Sequence, residues 1–409
     1  MIKIQQITAL IIISIISLTT FFTAEAYANK GLKKIYSRLG VNDGAMIIDP
    51  QGRTIFAHQE NKTLIPASTI KILTSLAAFH YLGEDFKFKT KFYINKPGNL
   101  IIKGYGDPLL VSEAIDTICQ KLSDMIDTDK KEIADIILDN SYFDSIQIPG
   151  TISSFQPYDS PNAALCVNFN TVKFKRSANR YKSAESQTPL LPFVMGRVKK
   201  SGLVKGRIVL SQKNDEYLFY AGHMFKYFLE KHGIKVTGTI RIGLLETEYP
   251  EKTPRLLYKH DSISSLKNII SGLMRYSNNF TANQIFIKCG IKHKNPPGTL
   301  AKGALAISDF AEKSLGIDGL TLYEGSGISR QNRISAKDMI KVLGAFSKHK
   351  DLMRSQGRQL YKTGNLKGIN TRAGYIRSKN GGFYQYCVLV NTPGKSAAKI
   401  VKAMMRHLE

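Results

Sequence analysis

Two strand pairs, one near each end of the chain, constrain the fold more than any other feature. From Gly44 the stretch AMIIDPQGRTIFAH reads as two short strands around an Asp-Pro-Gln-Gly turn. It leads into a helix from about Ser68 to Leu82 that stops at Gly83. Near the other end, Arg372 to Asn391 reads as two strands turning at Asn380-Gly381-Gly382, and AAKIVKAMMRHL makes a terminal helix. Strands at both ends can share one sheet, and the long middle is then an insertion. It starts with strand-like LIIKGYGDPLL and includes a hairpin-like region around Arg207 to Ile242. From Asp261 to Gly290 and from Leu300 to Leu315 the apolar period becomes helical. The expected class is α/β (α+β), with segments 29–90 and 255–409 forming one domain and 91–254 inserted between them.

The first 28 residues read as a signal peptide. Lys3 precedes an apolar run from Ile7 to Phe22, and Ala24 to Ala28 offers two overlapping small-x-small cleavage sites. The run is shorter than the ~20 apolar residues of a spanning helix, and no Cys lies near the site for lipidation. An exported, periplasmic protein is expected.

Lys plus Arg exceed Asp plus Glu by 58 to 32, a formal charge of +26. Nucleic acid is the usual partner for such a charge, but export argues against it. Two readings stay open: a solvated Lys-rich surface, or peripheral association with anionic wall or envelope components. Cys119, Cys166, Cys289 and Cys387 are compatible with disulfides and with buried thiols. There is no CxxC, HExxH or Walker-type loop, and the eight His show no metal or triad spacing, so no metal or cofactor is expected.

Ser68 and Lys71 form an SxxK pair, and three-residue spacing on a helix puts both side chains on one face. A serine hydroxyl becomes a nucleophile when a nearby base takes its proton, and a lysine lowered toward neutrality can do so. Spacing alone is weak, because SxxK recurs at Ser264, Ser347 and Ser396. Such a hydrolase also needs a polar shuttle and a cation for the substrate carboxylate, which SxN and K[ST]G supply. SxN occurs at Ser160, Ser177, Ser277 and Ser378; K[ST]G occurs at Lys200-Ser201-Gly202 and Lys362-Thr363-Gly364. Context favours Ser277-Asn278-Asn279, which follows an amphipathic helix, and Lys362-Thr363-Gly364, which leads into the final hairpin. Lys200 falls inside the insertion. Tyr323 to Gly327 reads as a plain glycine turn without a catalytic acid, and Gly104 to Pro108 as a turn between strand and helix.

With these elements in this order, the chain resembles the penicillin-binding proteins, in particular the type-4 low-molecular-mass (class C) D-Ala-D-Ala carboxypeptidases and endopeptidases. The matching stretches are IPASTIKILTSLAAFHYLG, GYGDPLL, LDNSYFD, PNAALCVNFNTV, SNNFTAN, YEGSGISRQNRIS and KTGNLKGINTRAGYI, spread over nearly the whole mature chain. The resemblance implies a penicillin-binding transpeptidase/β-lactamase-like domain, an antiparallel sheet with helices on both faces plus an all-helical part, interrupted by an inserted mixed domain. It implies that Ser68 is acylated, Lys71 is the base and Ser277 relays the proton. Asn279 would position the substrate amide, and Lys362 with Thr363 would bind the terminal carboxylate. The backbone N–H groups of Ser68 and of Asn365, just after Gly364, would form the oxyanion hole. Peptidoglycan stem peptides are then the substrates and β-lactams the covalent inhibitors. The chain departs from the family where Asn365 replaces the usual Thr, where Asn283 replaces the usual Glu, and in a shortened segment before Lys362. The rival readings are a serine β-lactamase, which lacks support because no ExxLN-type string supplies a deacylating Glu, and a catalytically weak wall-binding scaffold.

Overall fold

The computed structural model describes residues 35–96, 98–126, 131–152, 154–178, 180–245 and 254–408. The expected signal peptide lies outside the described residues. The chain divides into two compact units. One joins the two ends, up to Thr69 and from Ile334, and the other is the continuous stretch Ile70–Arg333. This division differs from the one read along the sequence, because the helices between Leu266 and Leu315 group with the central stretch.

In the unit built from the chain ends, six strands form one sheet. Their order is Arg354–Gln356, Gln359–Leu366, Ile369–Arg377, Phe383–Val390, Asp43–Ile48 and Thr54–His58. Every pairing is antiparallel, with Met46 opposite Cys387 and Lys362 opposite Ala373. The first hairpin turns where expected, since the Asp49 carboxylate accepts from the N–H groups of Gln51 and Arg53 (2.9 and 2.8 Å) and Gly52 takes a positive φ. Alternation along a strand sends successive side chains to opposite faces. Accordingly Ile47, Ile376, Tyr386 and Val388 pack with Ile400 and Met404 of helix Ala397–Met405, while Tyr375 reaches the other face and donates its hydroxyl to Leu343 O of helix Ala336–Phe346 (2.6 Å). Helices therefore cover both faces. Burying each of these large apolar side chains contributes roughly 1.5–3 kcal/mol.

In the central unit, helix Lys71–Leu82 packs against helices Leu266–Tyr276, Asn279–Lys294 and Leu300–Leu315. A five-stranded mixed sheet runs Ile240–Ile242, Ile136–Asp139, Leu100–Gly104, Lys89–Ile94 and Arg255–Asp261. A three-stranded antiparallel sheet is formed by Arg180–Ser183, Thr171–Ser177 and Lys205–Val209. The expected hairpin around Arg207 to Ile242 is not formed: helix Glu216–Lys231 separates the strands, and Ile240–Ile242 pairs parallel with Ile136–Asp139. The helix EYLFYAGHMFKYFLEK is apolar over much of its circumference because it is buried beside Ile118, Leu138 and Leu165, so no single stripe marks its period.

Asp107, in the turn after Leu100–Gly104, is almost fully buried. One carboxylate oxygen accepts from Leu109 N and Ser262 Oγ (2.8 and 3.0 Å), and the other has no partner. Burial pushes its pKa up to about 6 against these two bonds. Among the described residues, no helix is long and apolar enough to cross a membrane.

Candidate active site

The predicted site residues fall into two groups, one in each unit. In the end-built unit, Ser68 sits in the one-turn 3-10 helix Ala67–Ile70, which runs directly into helix Lys71–Leu82. The chain before it is fixed to the sheet at two points. The Asn391 side chain accepts from Ile65 N (2.9 Å) and donates to Ile65 O (3.1 Å), and Thr371 Oγ1 donates to Pro66 O (2.7 Å). Ala67 is held at φ 46° and is almost fully buried. A left-handed non-glycine residue just before a serine is backbone strain of the kind that concentrates at functional sites.

Strand Gln359–Leu366 carries Lys362-Thr363-Gly364 past this turn. A Cβ on Gly364 would lie 2.6 Å from Ser68 N, 2.9 Å from the Ala67 Cβ and 2.4 Å from Thr371 Oγ1, so only glycine fits. Lys362 is 2% exposed. Its Nζ donates to Thr363 O (3.0 Å), and burial pushes its pKa down to about 8. Thr363 and Asn365 are exposed, and Asn365 Oδ1 accepts from Asn370 Nδ2 (2.5 Å). The neighbouring strand Arg354–Gln356 pairs only with Gln359 to Tyr361. From Lys362 onward, that edge has no strand partner among the described residues. A strand edge left unpaired in this way can take a peptide added edge-on.

In the central unit, Lys71 is fully buried. Its Nζ donates to Asn279 Oδ1 (2.9 Å) and to Ser326 O (2.5 Å). Ser277 ends helix Leu266–Tyr276 in the left-handed region (φ 58°, ψ 32°). Asn278 then caps the next helix by accepting from Thr281 N (3.0 Å), and Asn279 is its first residue. A residue for turning, one for capping and one facing Lys71 occupy three consecutive positions, which is the local reason for the Ser-Asn-Asn order. With Asn279 Oδ1 engaged by Lys71, its Nδ2 remains the donor.

The turn read as a plain glycine loop is organised by a charge. Glu324 is fully buried. Its Oε1 accepts from Gly327 N, Ser329 N and Asn332 Nδ2 (2.7, 3.2 and 2.9 Å), and its Oε2 from Ser326 N and Ser326 Oγ (2.7 and 2.6 Å). The loop in turn presents Ser326 O to Lys71, and Gly325 O to Thr74 Oγ1 (2.8 Å). Asn283, one of the departures from the family pattern, is buried and accepts from Gly325 N (2.8 Å). It supports the same loop. Sequence reasoning missed Glu324; a lone acid flanked by four potential N–H donors was the only available signal.

The competing strings have other surroundings. Ser396 caps the terminal helix through Lys399 N while Lys399 is exposed. Lys267, partner of Ser264, is exposed and paired with Glu84 (2.8 Å). Ser347 is exposed, and Lys350 lies 5.1 Å over the Phe383 ring. Lys200 ends helix Met195–Lys200 in solvent. The four cysteines are buried free thiols, with burial pushing the pKa values of Cys166 and Cys289 up to about 12.

An antiparallel sheet covered by helices on both faces, an all-helical part, and SxxK, SxN and KTG on separate elements define the class: the penicillin-binding, active-site-serine peptidases. Comparison with known proteins narrows this. Residues 34–192 and 192–357 match the D-Ala-D-Ala carboxypeptidase 3 (S13) family, and the chain belongs to that family. It is 24% identical over 359 residues to a D-alanyl-D-alanine carboxypeptidase of an Actinomadura species, an alignment covering 75% of this chain and 64% of that enzyme. It is 25% identical over 464 aligned positions to the D-alanyl-D-alanine carboxypeptidase DacB of Haemophilus influenzae, covering 96% of this chain and 95% of the relative. The crystal structure of penicillin binding protein 4 (dacB) from Haemophilus influenzae matches with TM-score 0.72 and 22% identity, over 92% of this chain and 98% of that one. A structure of the same protein is complexed with a β-lactam.

Proposed function

We propose that the chain is a serine-type D-Ala-D-Ala carboxypeptidase/endopeptidase that acts on peptidoglycan stem peptides through an acyl-enzyme on Ser68 and is exported to the periplasm by residues 1–28. The observation that carries this reading is Gly364. A strand whose glycine leaves no room for a methyl group beside Ser68 N is built to keep Lys362 and Thr363 close to the nucleophile's backbone.

In this mechanism the terminal D-Ala carboxylate binds Lys362 and Thr363, with the peptide lying along the open strand edge. Ser68 Oγ attacks the carbonyl of the penultimate residue and gives its proton to Lys71 Nζ. The backbone N–H groups of Ser68 and Asn365 stabilise the oxyanion, and Asn279 Nδ2 donates to the substrate amide. As the C–N bond breaks, the leaving amine takes a proton relayed by Ser277. Water then attacks the ester, releasing the shortened peptide and restoring Ser68. A β-lactam follows the first half: its ring C–N bond opens and the acyl group stays on Ser68.

The test is to incubate the protein with a penicillin, digest it and map the added mass. The adduct is expected on the peptide containing Ser68 and on none containing Ser264, Ser347 or Ser396, and Ser68→Ala should take up no label. An adduct on another serine, or no adduct in the folded protein, overturns the reading. Mass spectrometry of the exported protein should show a mature start near Tyr27 or Asn29.

A further inference from the structure

Strand Lys89–Ile94 alternates, burying Thr90 and Phe92 and turning Lys89 and Lys91 to the opposite face. On helix Asn279–Lys294, Lys288 and Lys292 stand four residues apart on one stripe. All four lysines line one cavity of about 450 Å³ in the central unit, whose walls include Tyr105 and Tyr142. Those two rings lie 4.7 Å apart at 60°. Lys288 is 9% exposed. Its Nζ donates to the Tyr142 hydroxyl (2.7 Å) and sits 4.6 Å from the Tyr142 ring centre, while Lys91 stands 5.4 Å over Tyr105. None of the four pairs with a carboxylate among the described residues. Burial, then the charges of Lys89 and Lys292, push the Lys288 pKa down to about 8.

Like charges at this helical spacing destabilise a helix, and four cations converging without an acid repel one another. Aromatic faces around a cationic centre suit an occupant with both a negative charge and an apolar ring face. We propose that this cavity binds an acidic saccharide, its carboxylate or phosphate held by Lys288 and the three neighbouring lysines and its ring laid against Tyr105 and Tyr142. This gives part of the +26 charge a specific use and does not depend on the chemistry at Ser68.

The test titrates the full mature chain, by calorimetry at low and physiological salt, with N-acetylmuramic acid, glucose 6-phosphate, neutral N-acetylglucosamine and inorganic phosphate. At least one acidic sugar is expected to bind at least ~10-fold more tightly than the neutral sugar or the bare anion. Preference for the carboxylate sugar points to wall glycan freed of its stem peptide, since an attached peptide converts that carboxylate to an amide, and preference for the sugar phosphate to a phosphorylated envelope glycan. Lys288→Met should weaken binding roughly ten- to a hundredfold, the loss of a charge-assisted hydrogen bond. Lys292→Gln is exposed and spares the fold, and it should weaken binding by a smaller factor. Penicillin labelling of Ser68 should be unchanged in both. Acidic sugars that bind no better than N-acetylglucosamine and phosphate, or binding that survives both substitutions, overturn the proposal.

Discussion

Glu324→Gln is the sharpest test of how Lys71 is held. A glutamine can keep its oxygen toward Gly327, Ser329 and Asn332, but its amide group then faces Ser326 N–H, which presently donates at 2.7 Å. One buried backbone donor is orphaned, at about 1–3 kcal/mol, and three hydrogen bonds fall from charged to neutral strength, at about 0.5–1.5 kcal/mol each. The lower desolvation cost of a neutral amide offsets part of this, leaving a net loss on the order of 2–4 kcal/mol, or a Tm lower by roughly 4–16 °C in a unit of this size. The same change frees Ser326 O, the acceptor 2.5 Å from Lys71 Nζ. Losing that positioning bond should slow acylation by penicillin about two- to tenfold. Stopped-flow acylation and a thermal melt on the same sample read the two effects separately. A variant that melts lower yet acylates at the wild-type rate would show that the loop is merely structural. One unchanged in both would refute the role of the carboxylate altogether.

Lys362→Ala should weaken reaction with a D-Ala-terminated peptide by roughly one to two decades in kcat/KM, while Lys200→Ala, exposed at a helix end, should leave it unchanged; equal losses would remove the assignment. Because burial holds the free-protein pKa of Lys362 at about 8, its charge is lost as pH rises through that value, so KM for the peptide should climb above pH 8; a flat profile to pH 10 contradicts the carboxylate role. Gly364→Ala should abolish acylation by forcing strand and Ser68 turn apart, even if the protein still folds by circular dichroism, and a variant acylating at wild-type rate would show that the contact yields freely. Asp107 has a folded pKa of about 6, raised from 3.8, so its stabilising contribution is present below the unfolded value and lost as pH rises through 6. That difference of about two units is on the order of 3 kcal/mol. Urea unfolding between pH 4 and 7.5 should therefore show a downward trend in the wild type that Asp107→Asn flattens, and parallel curves would contradict it.

The sheet shared by the chain ends was legible because both hairpins alternate and end in marked turns at Gly52 and at Asn380-Gly381-Gly382. The helices Leu266–Tyr276 and Leu300–Leu315 were legible because each has one apolar stripe. Helix Glu216–Lys231 was not, since burial on several sides erases the stripe, and parallel pairing of Ile240–Ile242 leaves no local signature at all. Among the candidate site residues, the preference for Lys362 over Lys200 followed from placing one beside a hairpin and the other inside the insertion. Asn279 as an acceptor for Lys71, and Glu324 as the anchor beneath it, depend on contacts between segments far apart in sequence, which no spacing rule encodes.

Asp43 accepts from the N–H of Asn391, 348 residues away, and Asn391 in turn pins Ile65, three residues before Ser68. A chain emerging N-terminus first can pair its opening strand with Thr54–His58, but the strand's other edge stays unpaired until the last strand, Phe383–Val390, arrives. The central stretch needs no such wait, since its strands find partners within Lys89–Asp261. The pairing of the opening strand with the last spans the greatest sequence separation and so carries the largest loop-closure cost, and it is the one that anchors the turn bearing the serine. A chain without its last strand would lack the Asn391 anchor on Ile65, so under the proposed mechanism the nucleophile's turn is fixed only when the C-terminal end of the chain docks.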